Sequence, residues 1–197
     1  MKPKTNHKHV GIELEVIVPV RVAKLRRELN KLKLKNIQVG HDGSVHGSER
    51  ACGCGRCEIV TPVEIRLLAT QRQICKDLAA TMVKLRELGA WTNNTCGLHV
   101  HLDARNVSHK QMYSKLVKAL PRLNRMVKCN RLRNQYCRPN QSDDWDNNEV
   151  FNEFGDRQAI NQRAYAEHGT IEVRLHEATL NIAKAVRWVK TLTRIAY

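Results

Sequence analysis

Three short stretches carry residues whose types and spacing could do chemistry. Glu13 and Glu15 alternate in "GIELEV", His99, His101 and Asp103 in "GLHVHLD", and Glu172, Arg174 and His176 in "TIEVRLHE". Side chains alternate across a strand, so each set lines one face. The opposite faces carry Ile12, Leu14 and Val16, then Leu98, Val100 and Leu102, then Ile171, Val173 and Leu175. A strand with one apolar face presses it on helices, which leaves the polar faces to form one acidic, imidazole-bearing surface. Carboxylates ~7 Å apart along a strand repel by roughly 2 kcal/mol at an effective dielectric of ~20. Arg174 offsets part of this. A divalent cation offsets more, and carboxylates with one imidazole per site suit magnesium or manganese better than zinc. The alternative is a solvated sheet face with paired Glu and Arg, which has no need of His-x-His beside doubled glutamates.

The elements that must position these residues follow from periodicity. Val10 to Val18 reads as a strand ended by Pro19. From Val20 to Lys35 the residues Val22, Leu25, Leu29 and Leu32 recur at helical steps, and the other face is basic, a solvated face or one that meets phosphates. Residues Asn36 to Arg56 are rich in turn formers, and "CEIVTP" reads as a short strand closed by Pro62. A long helix is predicted over Glu64 to Leu88, with Leu68, Cys75, Leu78, Met82 and Leu85 inward and Gly89 at its C-terminal end. Ser108 caps a helix to about Val127 that Pro121 should kink. Arg138 to Asp156 is irregular and acidic in an otherwise basic chain; loops of this length act as lids or are disordered. After the last strand, Asn181 caps a final helix with Ile182, Val186, Val189 and Leu192 inward. Without an internal repeat or linker, residues 1–197 read as a single domain of α+β class.

A chain of 197 residues with 42% hydrophobic and 27% charged residues can bury a core, which excludes a disordered polymer or a membrane span. The start, "MKPKTNHKHVGIELEV", has positive charges and no apolar run, so a cytoplasmic protein is expected. Seven cysteines, an odd number, then point to reduced thiols or metal ligands. Cys52, Cys54 and Cys57 in "ACGCGRC" could hold a structural zinc with His46, Cys129 or Cys137 as fourth ligand, the alternative being free thiols in a turn. The net charge of +15 implies an anionic partner: nucleic acid, nucleotide phosphates, an acidic peptide or a cell-wall fragment.

In order along the chain, "GIELE", "DGS" at Asp42 to Ser44, "EIVTP" at Glu58 to Pro62, "GLHVH" and "TIEVRL" resemble the motifs of carboxylate–amine ligases of the glutamine synthetase and glutamate–cysteine ligase superfamily. The nearest likeness is to the compact amidoligases of bacteria and phages, over roughly Val10 to Leu180. The resemblance implies a curved antiparallel sheet with helices on one face and a polar concave face that binds ATP and magnesium or manganese. It implies Glu13, His99 and Glu172 around the ion on the ATP phosphates, and Glu15 and Glu58 around the ion near the substrate carboxylate. Arg174 resembles the arginine on the transferring phosphate, and Asp42 the carboxylate beside the incoming amine, although an Asx-turn with Gly43 would also account for that residue. Arg138 and Arg163 are candidates to grip phosphates or the substrate carboxylate, as are Arg133 and Arg157, while Tyr136 could stack on a base. His101 and His176 are expected to support the ligands from outside.

The implied reaction activates a carboxylate as an acyl phosphate with ATP and couples it to an amine, giving an amide. The acid could be a small molecule or a peptide, and an anionic polymer or nucleic acid is also admitted as substrate; no membrane partner is implied. Two rivals remain open. "HVHLD" also looks like the His-x-His-x-Asp element of metal-dependent hydrolases, but Ala104 follows Asp103 and the chain is short of the ~250 residues of a barrel that would carry it. A basic nucleic-acid-binding module fits the charge, but aromatics are only 5% and phosphate binding gives no reason to cluster Glu and His on strands.

Overall fold

The computed structural model describes residues 8–45, 61–128, 137–140, 142, 143, 145 and 157–197. The alternating stretches form strands of one open six-stranded sheet: β1 (His9–Val18), β2 (Ile37–His41), β3 (Thr61–Thr70), β4 (Gly97–Asp103), β5 (Ile160–Asn161) and β6 (Thr170–Glu177). Their order is β2-β3-β1-β4-β6-β5, with each neighbouring pair antiparallel. The helices are α1 (Val22–Asn30), α2 (Ile74–Glu87), α3 (His109–Lys118), α4 (Leu120–Asn124), α5 (Ala164–His168) and α6 (Ile182–Ala196). The fold is mixed α/β with an antiparallel sheet.

One sheet face is apolar for the reason the alternation gives. Val10, Ile12, Leu14 and Val16 of β1, Val63 and Ile65 of β3, and Leu98, Val100 and Leu102 of β4 are all buried. Helices α2 and α6 pack on each other and on this sheet, and α3 packs on α6. They bring Leu78, Met82, Trp188, Val189, Leu192 and Met112 into the same core. Burial of each such side chain stabilises the fold by roughly 1.5–3 kcal/mol, enough to hold the strands while their other face collects charge. Asn181 and Ser108 cap α6 and α3, accepting the Lys184 and Gln111 backbone N–H groups. The kink expected at Pro121 is a break at Ala119, after which Pro121 lies in the first turn of α4, where its missing N–H removes no helical bond.

Several expectations are corrected. The helix predicted over Glu64 to Leu88 is a strand to Thr70, a turn, and a helix only from Ile74 to Glu87. Val63, Ile65 and Leu67 are buried in strand alternation, and Leu68, placed inward by helical spacing, is 50% exposed. Pro62 does not close a strand; it is the second residue of β3, just past the last β2 partner, Val63 opposite His41. The turn-rich segment contains β2, and α1 ends at Asn30, short of Lys35. His176 leaves the polar face because the β4–β6 register shifts between Leu98 and Val100. It stands opposite Leu98 and packs its ring 4.9 Å from that of Trp188, 1% exposed in the core. Glu58, Cys52, Cys54 and Cys57, with His46, Cys129, Arg133, Tyr136 and most of the acidic loop, lie outside the described residues. Among the described residues no helix is long and apolar enough to cross a membrane.

Gly169 joins α5 to β6 with φ +67°, and a Cβ there would stand 2.5 Å from Cγ of Arg105, whose guanidinium is held by Asp103. Gly169→Ala is therefore expected to destabilise the protein by roughly 1–2 kcal/mol in urea denaturation, and an unchanged midpoint would contradict the assigned turn.

Candidate functional site

Register brings the polar faces together. On β1, Glu13 is opposite His99 of β4 and Arg66 of β3, while Glu15 is opposite Glu64 of β3. On β4, His101 is opposite Gly11 on one side and Glu172 of β6 on the other. Gly11 gives the imidazole its room: a Cβ at that position would meet Cβ of His101 at 3.1 Å.

His99 is 2% exposed and stands at the centre of the group. Its Nδ1 is 3.3 Å from both Glu13 Oε2 and Glu172 Oε1, and its Nε2 is 3.7 Å from Glu15 Oε1. His101 Nε2 is 3.6 Å from Glu13 Oε1 and 3.9 Å from Glu172 Oε1. That buried nitrogen makes no hydrogen bond, whereas its Nδ1 lies 3.1 Å from Thr170 Oγ1. Glu172 is fixed from both sides, with Arg174 Nη1 donating to Oε1 at 2.7 Å and Asn161 Nδ2 to Oε2 at 2.8 Å. One donor atom from each of Glu13, His101 and Glu172 lies within 4.8 Å of the others, a spacing that suits a single ion.

A second group forms beside it, where Glu15, Asp42 and Glu64 also bring one oxygen each within 4.8 Å. Glu15 accepts the Gly97 N–H, Glu64 pairs with Arg66, and Asp42 Oδ1 accepts Ser44 N–H at 2.8 Å and its hydroxyl at 2.6 Å, the geometry of an Asx-turn. Like charges directly opposite on an antiparallel pair are destabilising, and Glu15 and Glu64 are such a pair.

The ionisation of the site follows its partners. Burial alone would raise the pKa of Glu13, but the His101 and His99 imidazoles outweigh it and hold this carboxyl well below the usual range. His101 answers in the other direction: burial lowers it, while Glu13 and Glu172 raise it further, so the net shift is upward. Glu64 is raised, first by burial and then by the negative charge of Glu13, with Arg66 opposing.

The structure thus collects Glu13, His99, Glu172, Arg174 and Glu15 on one surface, with Asp42 at its β2 edge. Arg163 is exposed beside it; its N–H donates to Asn161, the residue that steadies Glu172. Arg138 is farther out. Ala159 donates to the Arg138 carbonyl and accepts from the Arg174 N–H, which puts Arg138 one position beyond on the sheet edge. Two residues of the surface escape the sequence reading. Glu64 and Arg66 were assigned to a helix; the signal that finds them is the alternation of Val63, Ile65 and Leu67 around them. Gly11 is the third omission, visible only as the one gap in the Glu13, Glu15 series.

A family described as "Putative amidoligase enzyme" matches residues 6–149. Glu172 and Arg174 lie beyond the matched span. A search of curated proteins finds no match.

Because the fold raises the pKa of Glu64, its ionised form disfavours the folded state fully above that raised value and not at all below the ordinary carboxylate range. In chelator, Glu64→Gln is expected to raise unfolding stability at pH 7. Urea titrations of both proteins at pH 7 and pH 4 should show that gain shrinking at the lower pH; a constant gain would assign it to another cause.

Proposed function

This chain belongs to the amidoligase family, and from that premise we propose that it is an ATP-dependent carboxylate–amine ligase that forms an amide through an acyl phosphate. Family membership suggests a ligase; the finer reading takes the glutamine synthetase and glutamate–cysteine ligase superfamily as its frame. The observation that carries it is the buried, unbonded Nε2 of His101 between oxygens of Glu13 and Glu172. A buried imidazole nitrogen left without a hydrogen bond costs free energy unless a ligand completes it. Carboxylates with one imidazole fit magnesium or manganese, so the donor set suits the ion that the family frame calls for.

In this reading Glu13, His101 and Glu172 hold one ion, with His99 beneath them, and Glu15, Asp42 and Glu64 hold a second together with Glu58. The ions would supply positive charge to the phosphate and carboxylate oxygens as these react. Arg174, steadied by Glu172, offers a planar fork of donors to the migrating phosphoryl group, where preorganised charge counts most. An amine must be neutral to attack an activated carboxyl, and Asp42, held by its turn at the edge of the second group, takes that proton. Arg163 and Arg138 bind ATP phosphates from the β5 side. A structural zinc at Cys52, Cys54 and Cys57 is proposed beside the alternative of free thiols, and the cytoplasm is the compartment proposed.

Calorimetric titration of a nonhydrolysable ATP analogue, with magnesium and with chelator, tests the reading directly. Metal-dependent binding by the wild type is expected, weakened tenfold or more, ~1.4 kcal/mol, in Glu172→Gln. Absence of binding under every condition would sink the ligase and direct attention to zinc content and ATP-independent ester or phosphodiester hydrolysis. With an acid and amine identified by ADP release, Arg174→Ala is expected to lower turnover by roughly 10²–10³-fold. An equal loss expressed only as weaker nucleotide binding would make Arg174 a binding group and not a stabiliser of the reacting phosphate.

A further inference from the structure

Two cavities meet at the end of the sheet where β1 begins. One, of about 280 Å³, includes Gly11, Glu13 and His101 in its lining and carries Arg66, Arg105 and His168 as well. The other, of about 580 Å³, opens between the turn after α1 and the β3–α2 turn, with Lys33, Lys35, Leu32 and Leu34 on one side. His9 and Leu68 line both.

We propose that the two cavities form one groove that binds an acidic peptide with interspersed apolar residues, delivering its carboxylate to the Glu13, His101 and Glu172 group. That direction rests on the function proposed above; the binding itself does not. Lys31 is engaged by Glu28, but the side chains of Lys33 and Lys35, two and four residues on, make no hydrogen bond or ion pair among the described residues. Lys33 also adopts φ +53°, and it is the only non-glycine with positive φ among the described residues, a conformation that costs a lysine free energy. Leu68, half-exposed at the junction, gives an apolar side chain a seat beside the Lys33 and Lys35 end, while at the other end Arg66 and Arg105 are paired with carboxylates.

The lining favours a peptide over a nucleic acid. Asp77 and Asp103 line the cavities too, so a uniformly charged phosphate chain would meet like charge, whereas a peptide can set its apolar residues there. Among the described residues no Phe, Tyr or Trp lines either cavity, and single-stranded nucleic acid relies on such stacking surfaces.

Fluorescence anisotropy with a labelled (Glu-Glu-Leu)₃ peptide, in chelator and without nucleotide, tests the groove. The wild-type chain is expected to bind it, and Lys33→Glu with Lys35→Glu to weaken it at least tenfold. Lys35→Ala, at an ordinary backbone position, should weaken it by about threefold, which keeps the test open if the double variant folds poorly. Lys24→Glu with Lys190→Glu changes the net charge equally on exposed residues outside both cavities, and should leave affinity within twofold. An oligothymidylate of equal charge should bind more weakly than the peptide. No peptide binding by the wild type, equal weakening in both double variants, or preference for the oligonucleotide would each overturn the proposal. Because neither metal nor nucleotide is present, peptide binding can survive failure of the ATP-analogue titration, and that titration can succeed while the groove fails.

Discussion

Glu15 faces Glu64 across an antiparallel pair, and Glu13 and Glu172 close on the same two imidazoles; the rest of the molecule is arranged around keeping those charges together. Left to themselves the carboxylates would drive the strands apart or stay protonated. Three devices prevent this. Arg66 and Arg174 neutralise from the sides, His99 stands between carboxylates with each ring nitrogen facing one, and Asn161 and the Gly97 N–H occupy lone pairs that would otherwise seek water. The residual imbalance centres on His101, whose Nδ1 meets a hydroxyl and whose Nε2 stands between two carboxylates beyond hydrogen-bond distance.

The opposite face supplies what this arrangement consumes. Charge repulsion among a few partly buried carboxylates amounts to several kcal/mol in total, whereas each core side chain of β1 and β4 returns roughly 1.5–3 kcal/mol on burial. The two faces belong to the same strands, so packing against α2 and α6 fixes the spacing of the glutamates and histidines. A rigid scaffold of this kind places donor atoms better than loops would. It also explains why the residues closest to the centre, His99 and Glu172, are among the most buried polar groups of the described residues.

How much of this was legible in the sequence depended on whether one periodicity excluded the other. "GIELEV" and "GLHVHLD" alternate without competition, and β1 and β4 lie where they were read. "VEIRLLATQRQICKDLAATM" satisfies strand spacing at its start and helical spacing throughout, so the real helix absorbed β3 and took Glu64 and Arg66 with it. β2 is an edge strand with little burial, which leaves almost no apolar pattern to detect. The departure of His176 could not be read at all: alternation along β6 is intact, and the shift is a property of its pairing with β4. The same holds for His101, whose rank among the site residues depends on which partner lies across from it and not on its neighbours in sequence.

That shift in pairing has a consequence for the extent of the reactive surface. Up to Arg174, β6 turns its polar side chains to the site, where Arg174 donates to Glu172; two residues later the imidazole of His176 is wedged against Trp188 under the sheet. A single irregularity in the ladder thus works as a boundary marker, assigning Arg174 to the reactive face and His176 to the core. Lengthening or shortening β6 by one residue ahead of it would exchange the two assignments. The fold therefore measures out its reactive surface by counting pairs across the strands, so an insertion in this part of β6 would displace Glu172 and Arg174 together, where a substitution touches one of them.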